Sequence, residues 1–200
     1  MNRNPQSLTT VKQGLRAQMR ARRAALMATT RTAASQCIAA ACRGHPVLAP
    51  ARTVFVYVSM PDEVETRALI DWFVASGRQV LVPRLADRRT MHAVPFPGWH
   101  AMAPAELGIL SPPAGSVPWT DPVDVVLTPG LAFTSRGARL GYGAGFYDAW
   151  IARRAPAHLM ALAFECQIVD TVPESPHDRR VDTIVSEQRT IDCRTYRAET

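Results

Sequence analysis

The sequence lacks the features that mark several common classes of protein. It contains a single lysine, Lys12, and no apolar stretch long enough to span a bilayer. Its first twelve residues hold no apolar core of a signal peptide, and its four cysteines show no Cys-x-x-Cys spacing. Its five histidines form no His-x-x-x-His pair. These absences argue against membrane, secreted and zinc proteins, so we expect a cytoplasmic protein with reduced cysteines.

Arginine supplies nearly all of the positive charge, and the formal net charge is +6. A basic surface favours polyanionic ligands such as nucleotides, polyglutamates or nucleic acid, but it does not choose among them. Aromatic residues are not interleaved with arginines along one strand, and no RNA-binding signature is present. We therefore expect neither a nucleic-acid partner nor a membrane partner.

The order of apolar segments predicts two helices followed by alternating strands and helices. Helices are expected at 8–27, 30–43 and 64–76, and strands at 53–58, 79–82, 91–96, 123–127, 159–164 and 181–186. Pro83 is predicted to end the second strand, and Pro95 places the third at a sheet edge. The alternation is typical of a three-layer α/β sandwich with a mostly parallel central sheet. We expect one domain over 1–200, with an N-terminal helical arm at 1–45 and a sheet core at 46–200 that carries the ligand crevice.

The first predicted helix carries two stripes of residues at helical spacing. The apolar stripe, which we expect to be buried, consists of Val11, Leu15, Met19 and Leu26. The basic stripe beside it consists of Lys12, Arg16, Arg20 and Arg23. Charge pattern alone favours a solvated face for these four cations.

A glycine-rich turn at 139–148, with the sequence Arg-Leu-Gly-Tyr-Gly-Ala-Gly-Phe-Tyr-Asp, leads into a helix. Three alternate glycines let the backbone approach an anion, and a helix that begins there directs unpaired N–H groups at it. Asp148 is suited to hold a divalent cation beside phosphate oxygens. Spacing alone favours a flexible turn over a phosphate site, because neither common phosphate-binding fingerprint is present. Both interpretations stay open on spacing alone.

A second turn, at 59–66, carries three carboxylates in four residues: Asp62, Glu63 and Glu65. Acidic residues favour the first turn of a helix, which explains one or two of them. The other interpretation is a carboxylate that faces the crevice and accepts hydrogen bonds from a donor-rich heterocycle. This turn, the glycine-rich turn and Pro83-Arg84 all follow strands, so they are expected to line one crevice.

Taken together, these segments resemble the 5-formyltetrahydrofolate cyclo-ligase family, also called the 5,10-methenyltetrahydrofolate synthetases. The resemblance covers nearly the whole chain. It is carried by Lys12 and Arg16, then by 59–66, 82–84, 108–112, 124–133, 137–148, Ala163-Phe164 with Gln167, Val172-Pro173, His177-Asp178 and Val181-Asp182.

The resemblance implies an ATP- and Mg2+-dependent cyclisation of 5-formyltetrahydrofolate to 5,10-methenyltetrahydrofolate. ADP and phosphate are released, and the reaction passes through a phosphorylated formyl group, an iminium phosphate. No protein nucleophile is needed, because the work is positioning and charge stabilisation. The substrate is the folate, with or without a polyglutamate tail, and we expect a monomer. The alternative is a relative that binds folate or nucleotide without turnover.

The same resemblance implies roles for individual residues. ATP is bound by Lys12, Arg16, Arg139, Leu140, Gly141, Tyr142, Gly143, Ala144, Gly145, Phe146 and Tyr147. The folate is bound by Val58, Glu63, Arg84, Tyr142 and Phe146, and the residues implied in catalysis are Arg139, Tyr142 and Phe146. Asp148 and Asp182 are the implied magnesium ligands. Phe146 stands where many members have tyrosine, and Ala144 where relatives have glycine or lysine, which leaves Arg139 to carry more of the phosphate charge.

Overall fold

The computed structural model describes residues 5–88, 90–105, 109–154, 156–176 and 178–198, with side chains described between residues 8 and 196. Gly108 and His177, two residues of the resemblance, lie outside the described residues. The helices are α1 (Pro5–Ala24), α2 (Ala28–Arg43), α3 (Arg67–Ala75), α4 (Phe146–Arg154) and α5 (Cys193–Ala198). The strands are β1 (Thr53–Val56), β2 (Gln79–Leu85), β3 (Met91–Pro95), β4 (Ala103–Pro104), β5 (Leu110–Ser111), β6 (Val125–Thr128), β7 (Ala132–Phe133), β8 (Arg139–Leu140), β9 (His158–Leu162), β10 (Thr183–Val185) and β11 (Thr190–Asp192).

Seven strands form the central sheet, in the order β11-β10-β9-β6-β1-β2-β3. The five inner strands are parallel, whereas β3 and β11 pair antiparallel at the two edges. The predicted mostly parallel sheet is therefore confirmed, and so is the edge position of the strand that contains Pro95. The short strand β11 was not predicted, and neither was the hairpin formed by β7 and β8.

Helices cover both faces of this sheet, because successive side chains of a strand point to opposite sides. Val54 and Val56 of β1 pack in a buried cluster with residues of α2 and α3. Phe55, between them, lies in the cluster on the other face, against Trp150 and Ile151 of α4. This is the predicted three-layer arrangement. Within the described residues, no helix is both long enough and apolar enough to cross a bilayer.

The expectation that Pro83 ends the second strand was wrong, since β2 continues to Leu85. Pro83 has no N–H to donate, so it fits a strand only where that position needs no partner. The backbone N–H groups of odd-numbered residues in β2 point toward β1, as the hydrogen bond from Gln79 N to Arg52 O shows. The pairing of β2 with β1 ends at Leu81. The nitrogen of Pro83 therefore points toward β1 at a position beyond that pairing, where no N–H donor is required.

The buried stripe of α1 also differs from the prediction. Met19 is fully buried and packs with the β7–β8 hairpin, and Leu15 packs against the same cluster. Val11 is 55% exposed, because that cluster does not extend to it. Arg23, four residues after Met19, is only 2% exposed and continues the buried stripe.

Candidate active site

A cleft of about 360 Å3 opens at the carboxyl end of β1. Its size falls in the range of small-molecule sites, roughly 300–1,000 Å3. Val58 and Glu63, both predicted to bind substrate, are among its lining residues. Parallel α/β sheets bind ligands at this end of their strands, so the position agrees with the prediction. The lining also includes Arg31, Ser35, Ser59, Glu65, Thr66, Arg67, Trp99 and Leu110.

Glu63 is held in the cleft by a tight turn and by a tyrosine from a distant loop. The Glu63 N–H donates to Met60 O at 3.0 Å, and Met60 N–H donates back to Glu63 Oε2 at 2.8 Å. The Tyr142 hydroxyl donates to Glu63 Oε1. Glu63 is only 7% exposed, and this burial raises the pKa of its carboxyl although the bonds from Tyr142 and Met60 favour the charged form.

Arg23 completes this cluster, and the sequence interpretation missed it. Its Nη1 donates to the Tyr142 hydroxyl at 2.6 Å, and its Nη2 donates to Asp62 Oδ2 at 2.5 Å. The predicted solvated basic face is therefore wrong here, although Arg20 of the same stripe is exposed. The signal was available, because Arg23 follows Leu15 and Met19 at steps of four residues, which places all three on one helix face.

The helix α1 also meets the glycine-rich turn. Arg16 Nε donates to the carbonyl of Gly141 at 3.0 Å. Gly143 and Gly145 have φ values of 116° and 71°, a region that side-chain-bearing residues rarely adopt. Residues 143–145 are exposed, so the backbone of the turn is open to a ligand just before α4 begins. The glycine requirement is thus specific to Gly143 and Gly145, and Gly141 does not share it.

An ion pair connects α1 to Asp178, and a hydrogen bond connects the glycine-rich turn to the adjacent Arg179. Lys12 Nζ lies 2.5 Å from Asp178 Oδ2 and 2.8 Å from Ser175 Oγ. Asp148 Oδ1 accepts a bond from Arg139 Nη2 at 2.7 Å and one from the Arg179 N–H at 3.1 Å. Because Asp178 and Arg179 are neighbours, Lys12 and Asp148 are joined through one short segment, and the N-terminal arm converges with the glycine-rich turn.

Arg139, which was predicted to bind phosphate, has a buried side chain. Its side chain is 3% exposed and its guanidinium is directed at Asp148. Leu140 is buried, and its carbonyl accepts the Leu131 N–H. The Tyr147 ring stacks on Phe55 with centroids 5.9 Å apart, so this face of the turn anchors α4 to the sheet. The predicted role of Arg139 toward phosphate stays a prediction, and the observed role is to hold Asp148.

Three further predicted site residues lie apart from the cluster around Glu63. Phe146 lines a separate cleft of about 100 Å3 on the other face of the sheet. Arg84 lies on β2 opposite His92, and its buried Nε has no hydrogen-bond partner among the described residues. Asp182 precedes β10, where its Oδ2 accepts the Leu159 N–H at 3.0 Å. The structure does not bring these residues to Glu63, and their ligand roles stay predictions.

Comparison with known proteins identifies the family. The sequence model described as the 5-formyltetrahydrofolate cyclo-ligase family matches residues 8–187. The 5-formyltetrahydrofolate cyclo-ligase of Mus musculus is 30% identical over 198 residues, which cover 90% of this chain and 96% of that protein. The enzyme of the same name from Mycolicibacterium smegmatis is 34% identical over 152 residues, covering 70% of this chain and 76% of the relative.

Solved structures agree in fold. The NMR structure of Aquifex aeolicus 5,10-methenyltetrahydrofolate synthetase superposes with a TM-score of 0.79 at 23% identity, covering 92% of this chain and 93% of that one. A 5,10-methenyltetrahydrofolate synthetase from Mycoplasma pneumoniae gives a TM-score of 0.68 at 18% identity, with 88% and 98% covered. With the family match over residues 8–187, this chain belongs to the 5-formyltetrahydrofolate cyclo-ligase family, a family of ligases.

Proposed function

We propose that this protein uses ATP and Mg2+ to close the formyl group of 5-formyltetrahydrofolate into 5,10-methenyltetrahydrofolate, releasing ADP and phosphate. One observation carries the proposal. The cleft that contains Glu63 is joined directly to the glycine-rich turn, because Tyr142 of that turn donates a hydrogen bond to the Glu63 carboxylate. A folate bound in the cleft and a nucleotide bound at the turn would therefore lie side by side.

The cleft offers groups for both ends of a folate. The Glu63 carboxylate uses one lone pair of each oxygen on Tyr142 and Met60, which leaves acceptor capacity for the N–H donors of a pterin. Val58 forms part of the same wall. Arg31 and Arg67 also line the cleft, and within the described residues neither forms an ion pair with a carboxylate. These two cations are suited to the carboxylates of a glutamate or polyglutamate tail.

The phosphates would lie against the exposed backbone of the glycine-rich turn. Lys12 and Arg16 approach this region from α1 with their charged groups half-buried. Lys12 is paired with Asp178 in this structure, so binding of a triphosphate would take place by exchange of that ion-pair partner. Arg139 would act indirectly, by holding Asp148 in position.

Asp148 fits a magnesium ion. Its Oδ1 carries both described hydrogen bonds, and among the described residues nothing bonds Oδ2. Mg2+ is usually held by one or two carboxylates together with substrate phosphates and water, so a single free carboxylate oxygen is sufficient. When bound, the ion would neutralise phosphate charge during transfer. Asp182 is proposed as a second carboxylate on the resemblance alone, since its Oδ2 already accepts the Leu159 N–H.

The chemistry explains why the site needs no nucleophile of its own. A formamide oxygen leaves poorly, but phosphorylation of that oxygen by ATP makes it a good leaving group. The second folate nitrogen then attacks the activated carbon, and phosphate departs as the ring closes. The protein contributes position, because holding two reactants in line converts an encounter of two molecules into a step within one complex.

The test follows formation of the methenyl product by its absorbance, together with phosphate release. We expect both to appear in equal amounts, and only when the folate, ATP and Mg2+ are all present. Glu63→Gln should lose most of the activity, whereas Asp121→Asn, at an exposed carboxylate outside the cleft, should retain it. Folded protein that produces no methenyl compound would contradict the proposal. Saturable binding of folate without turnover would instead support the alternative, a non-catalytic relative.

A further inference from the structure

The buried guanidinium of Arg23 lies behind the carboxylate that faces the cleft. Its side chain is 2% exposed, although arginine is rarely buried unless it is paired. It is bound on one side by Asp62, through Nε at 3.1 Å and Nη2 at 2.5 Å. On the other side its Nη1 donates to the Tyr142 hydroxyl at 2.6 Å, and the ring of Tyr142 lies 5.5 Å from its central carbon.

The direction of these hydrogen bonds follows from the chemistry of the groups. A guanidinium carries only donors, so the Tyr142 hydroxyl oxygen must accept from Arg23. A tyrosine hydroxyl has one hydrogen, which is therefore free to point away from Arg23, toward Glu63 Oε1. The chain of bonds runs from Arg23 through Tyr142 to Glu63, and each bond ends on an acceptor.

We propose that Arg23 is a positioning residue of the folate site, which orients the Tyr142 hydroxyl and through it the Glu63 carboxylate. The inference rests on the proposed function, because it concerns the ligand that Glu63 would bind. Arg23 itself does not line the cleft, so we expect it to act through Tyr142 and not by contact with the substrate.

The charges around Glu63 support this role. The groups with an electrostatic effect on Glu63 or affected by it are Asp62 in the same turn, Arg23 on α1, Tyr57 just after β1, Tyr142 in the glycine-rich turn and Tyr147 at the start of α4. Arg23 is the cation of this set, and the other members are acids. The positive charge of Arg23 and the Tyr142 bond both lower the pKa of Glu63, against the larger effect of burial. Without Arg23, the carboxylates of Glu63 and Asp62 would lose the positive charge that offsets the repulsion between them.

The experiment compares Arg23→Met and Arg23→Lys with Arg20→Met, which removes an exposed arginine from the same helix. For each variant we would measure urea unfolding, the KM values for 5-formyltetrahydrofolate and ATP, and the pH profile of kcat/KM for the folate. We expect Arg23→Met to raise the KM for folate about ten- to a hundredfold, as loss of a charge-assisted hydrogen bond predicts, with a smaller change for ATP. The acid limb of its profile should move to higher pH. Arg23→Lys should recover part of the loss, and Arg20→Met should match the wild type.

Tyr142→Phe provides an independent arm if Arg23→Met fails to fold, since it removes only the hydroxyl that links Arg23 to Glu63. The double variant Arg23→Lys/Tyr142→Phe should be no worse for folate than Tyr142→Phe alone, because the two residues act in one chain. Additive effects, an unmoved acid limb or equal losses for folate and ATP would overturn the inference. A wild-type protein that neither binds nor converts the folate would instead reject the proposed function itself.

Discussion

The Glu63 cleft and the glycine-rich turn differ in how their charges are arranged. In the cleft, one buried carboxylate is fixed by Tyr142 and Met60, and acceptor capacity is left over. At the turn, Lys12, one of the cations proposed to meet phosphate, is already paired with Asp178, and Arg139 is paired with Asp148. If the proposed function holds, a ligand of the first region would meet a carboxylate that is already fixed, whereas phosphate at the second region would have to replace Asp178 as the partner of Lys12.

This difference separates two kinds of recognition. A pterin is neutral and rich in donors, so a fixed acceptor can meet it without rearrangement. A triphosphate carries several negative charges, and Lys12, which is proposed to receive it, is paired with a carboxylate in this structure. Variants that alter each region separately can therefore test whether the two regions are independent.

The largest effects are expected when the carboxylate of Glu63 or of Asp148 is replaced by the corresponding amide. Glu63→Gln should weaken folate binding by about a hundredfold and leave ATP affinity nearly unchanged, because it places a donor where the pterin needs an acceptor. Asp148→Asn should instead weaken magnesium-dependent ATP use. It should also lower the free energy of unfolding by about 1–2 kcal/mol, because Arg139 loses a charged partner that is itself partly solvated. Calorimetric titration with each ligand would measure the affinity of both variants for folate and for ATP. Equal losses of affinity for the two ligands in each variant would show that the two regions form a single site.

The pH dependence of folate binding sharpens the comparison. Burial raises the pKa of Glu63 above its usual value of 4.5, so its carboxylate should be protonated at a pH where exposed acids remain ionised. Folate affinity should fall as the pH drops through this raised pKa, by up to about tenfold per unit below it. The sign for stability is opposite: the folded state holds this proton more tightly, so its contribution to stability falls as the pH rises from 4.5 through the raised pKa. Binding and urea unfolding across pH 4–7 would show both trends, and Glu63→Gln should abolish them.

The ion pair at Lys12 offers the most direct test of partner exchange. Lys12→Met should raise the KM for ATP about tenfold, as expected for loss of a charge-assisted contact. Asp178→Asn should lower that KM by about two- to fivefold, because Lys12 is no longer held by a competing carboxylate. Asn retains an oxygen able to accept the Ser175 N–H that Asp178 Oδ2 accepts at 2.7 Å, so the turn itself should persist. Weaker ATP binding by a folded Asp178→Asn variant would show that the pair is part of the nucleotide site and does not compete with it.

The glycine-rich turn contains its own matched control. Gly143→Ala should destabilise the fold by about 1–2 kcal/mol and weaken ATP binding several-fold, because φ of 116° is strained for any side chain. Gly141→Ala should be tolerated, since its Cβ would meet nothing within 4 Å. Thermal unfolding and ATP titration would measure the stability and the ATP affinity of both variants. Equal effects would mean that bare backbone, and not left-handed geometry, is what the turn requires.

The smallest effect is expected at Arg67, which lines the cleft and forms no ion pair with a carboxylate in the described part of the chain. Arg67→Gln should weaken the binding of a polyglutamylated folate about three- to fivefold more than the binding of the monoglutamate, as loss of a solvated charge pair predicts. Arg67 is held over the Trp99 ring, 4.2 Å from its centroid, so its position does not depend on the ligand. Arg43→Gln, at the exposed end of α2, serves as the control. If the substitution leaves the affinities for both folates unchanged, Arg67 does not contribute to binding of the polyglutamate tail.

Much of the architecture was predictable because it depends on local pattern. Short apolar runs rich in β-branched residues predicted the strands. The strand β2 shows the limit, since the same Pro83 ends a strand or lies within one according to which neighbour its nitrogen faces. The hairpin β7–β8 was missed because each of its strands has only two residues, too few to show a period.

For the site, the residue types and their order were sufficient to indicate the family, and the family match over residues 8–187 confirmed it. Val58 and Glu63 lie in one cleft as expected, whereas Tyr142, Phe146 and Arg84 do not line it, although Tyr142 is hydrogen-bonded to Glu63. The placement of Phe146 was not predictable, because one residue at a helix start can face either side of a sheet.

The sequence by itself determined the α/β sandwich, the glycine-rich turn and the family, since these depend on periodicity, on backbone freedom and on the order of motifs. Only the tertiary structure decided which charges meet: Arg23 with Asp62 and Tyr142, and Lys12 with Asp178. The physical reason is separation along the chain. Arg23 and Tyr142 are 119 residues apart, and whether a cation is solvated or buried depends on what the folded chain brings beside it.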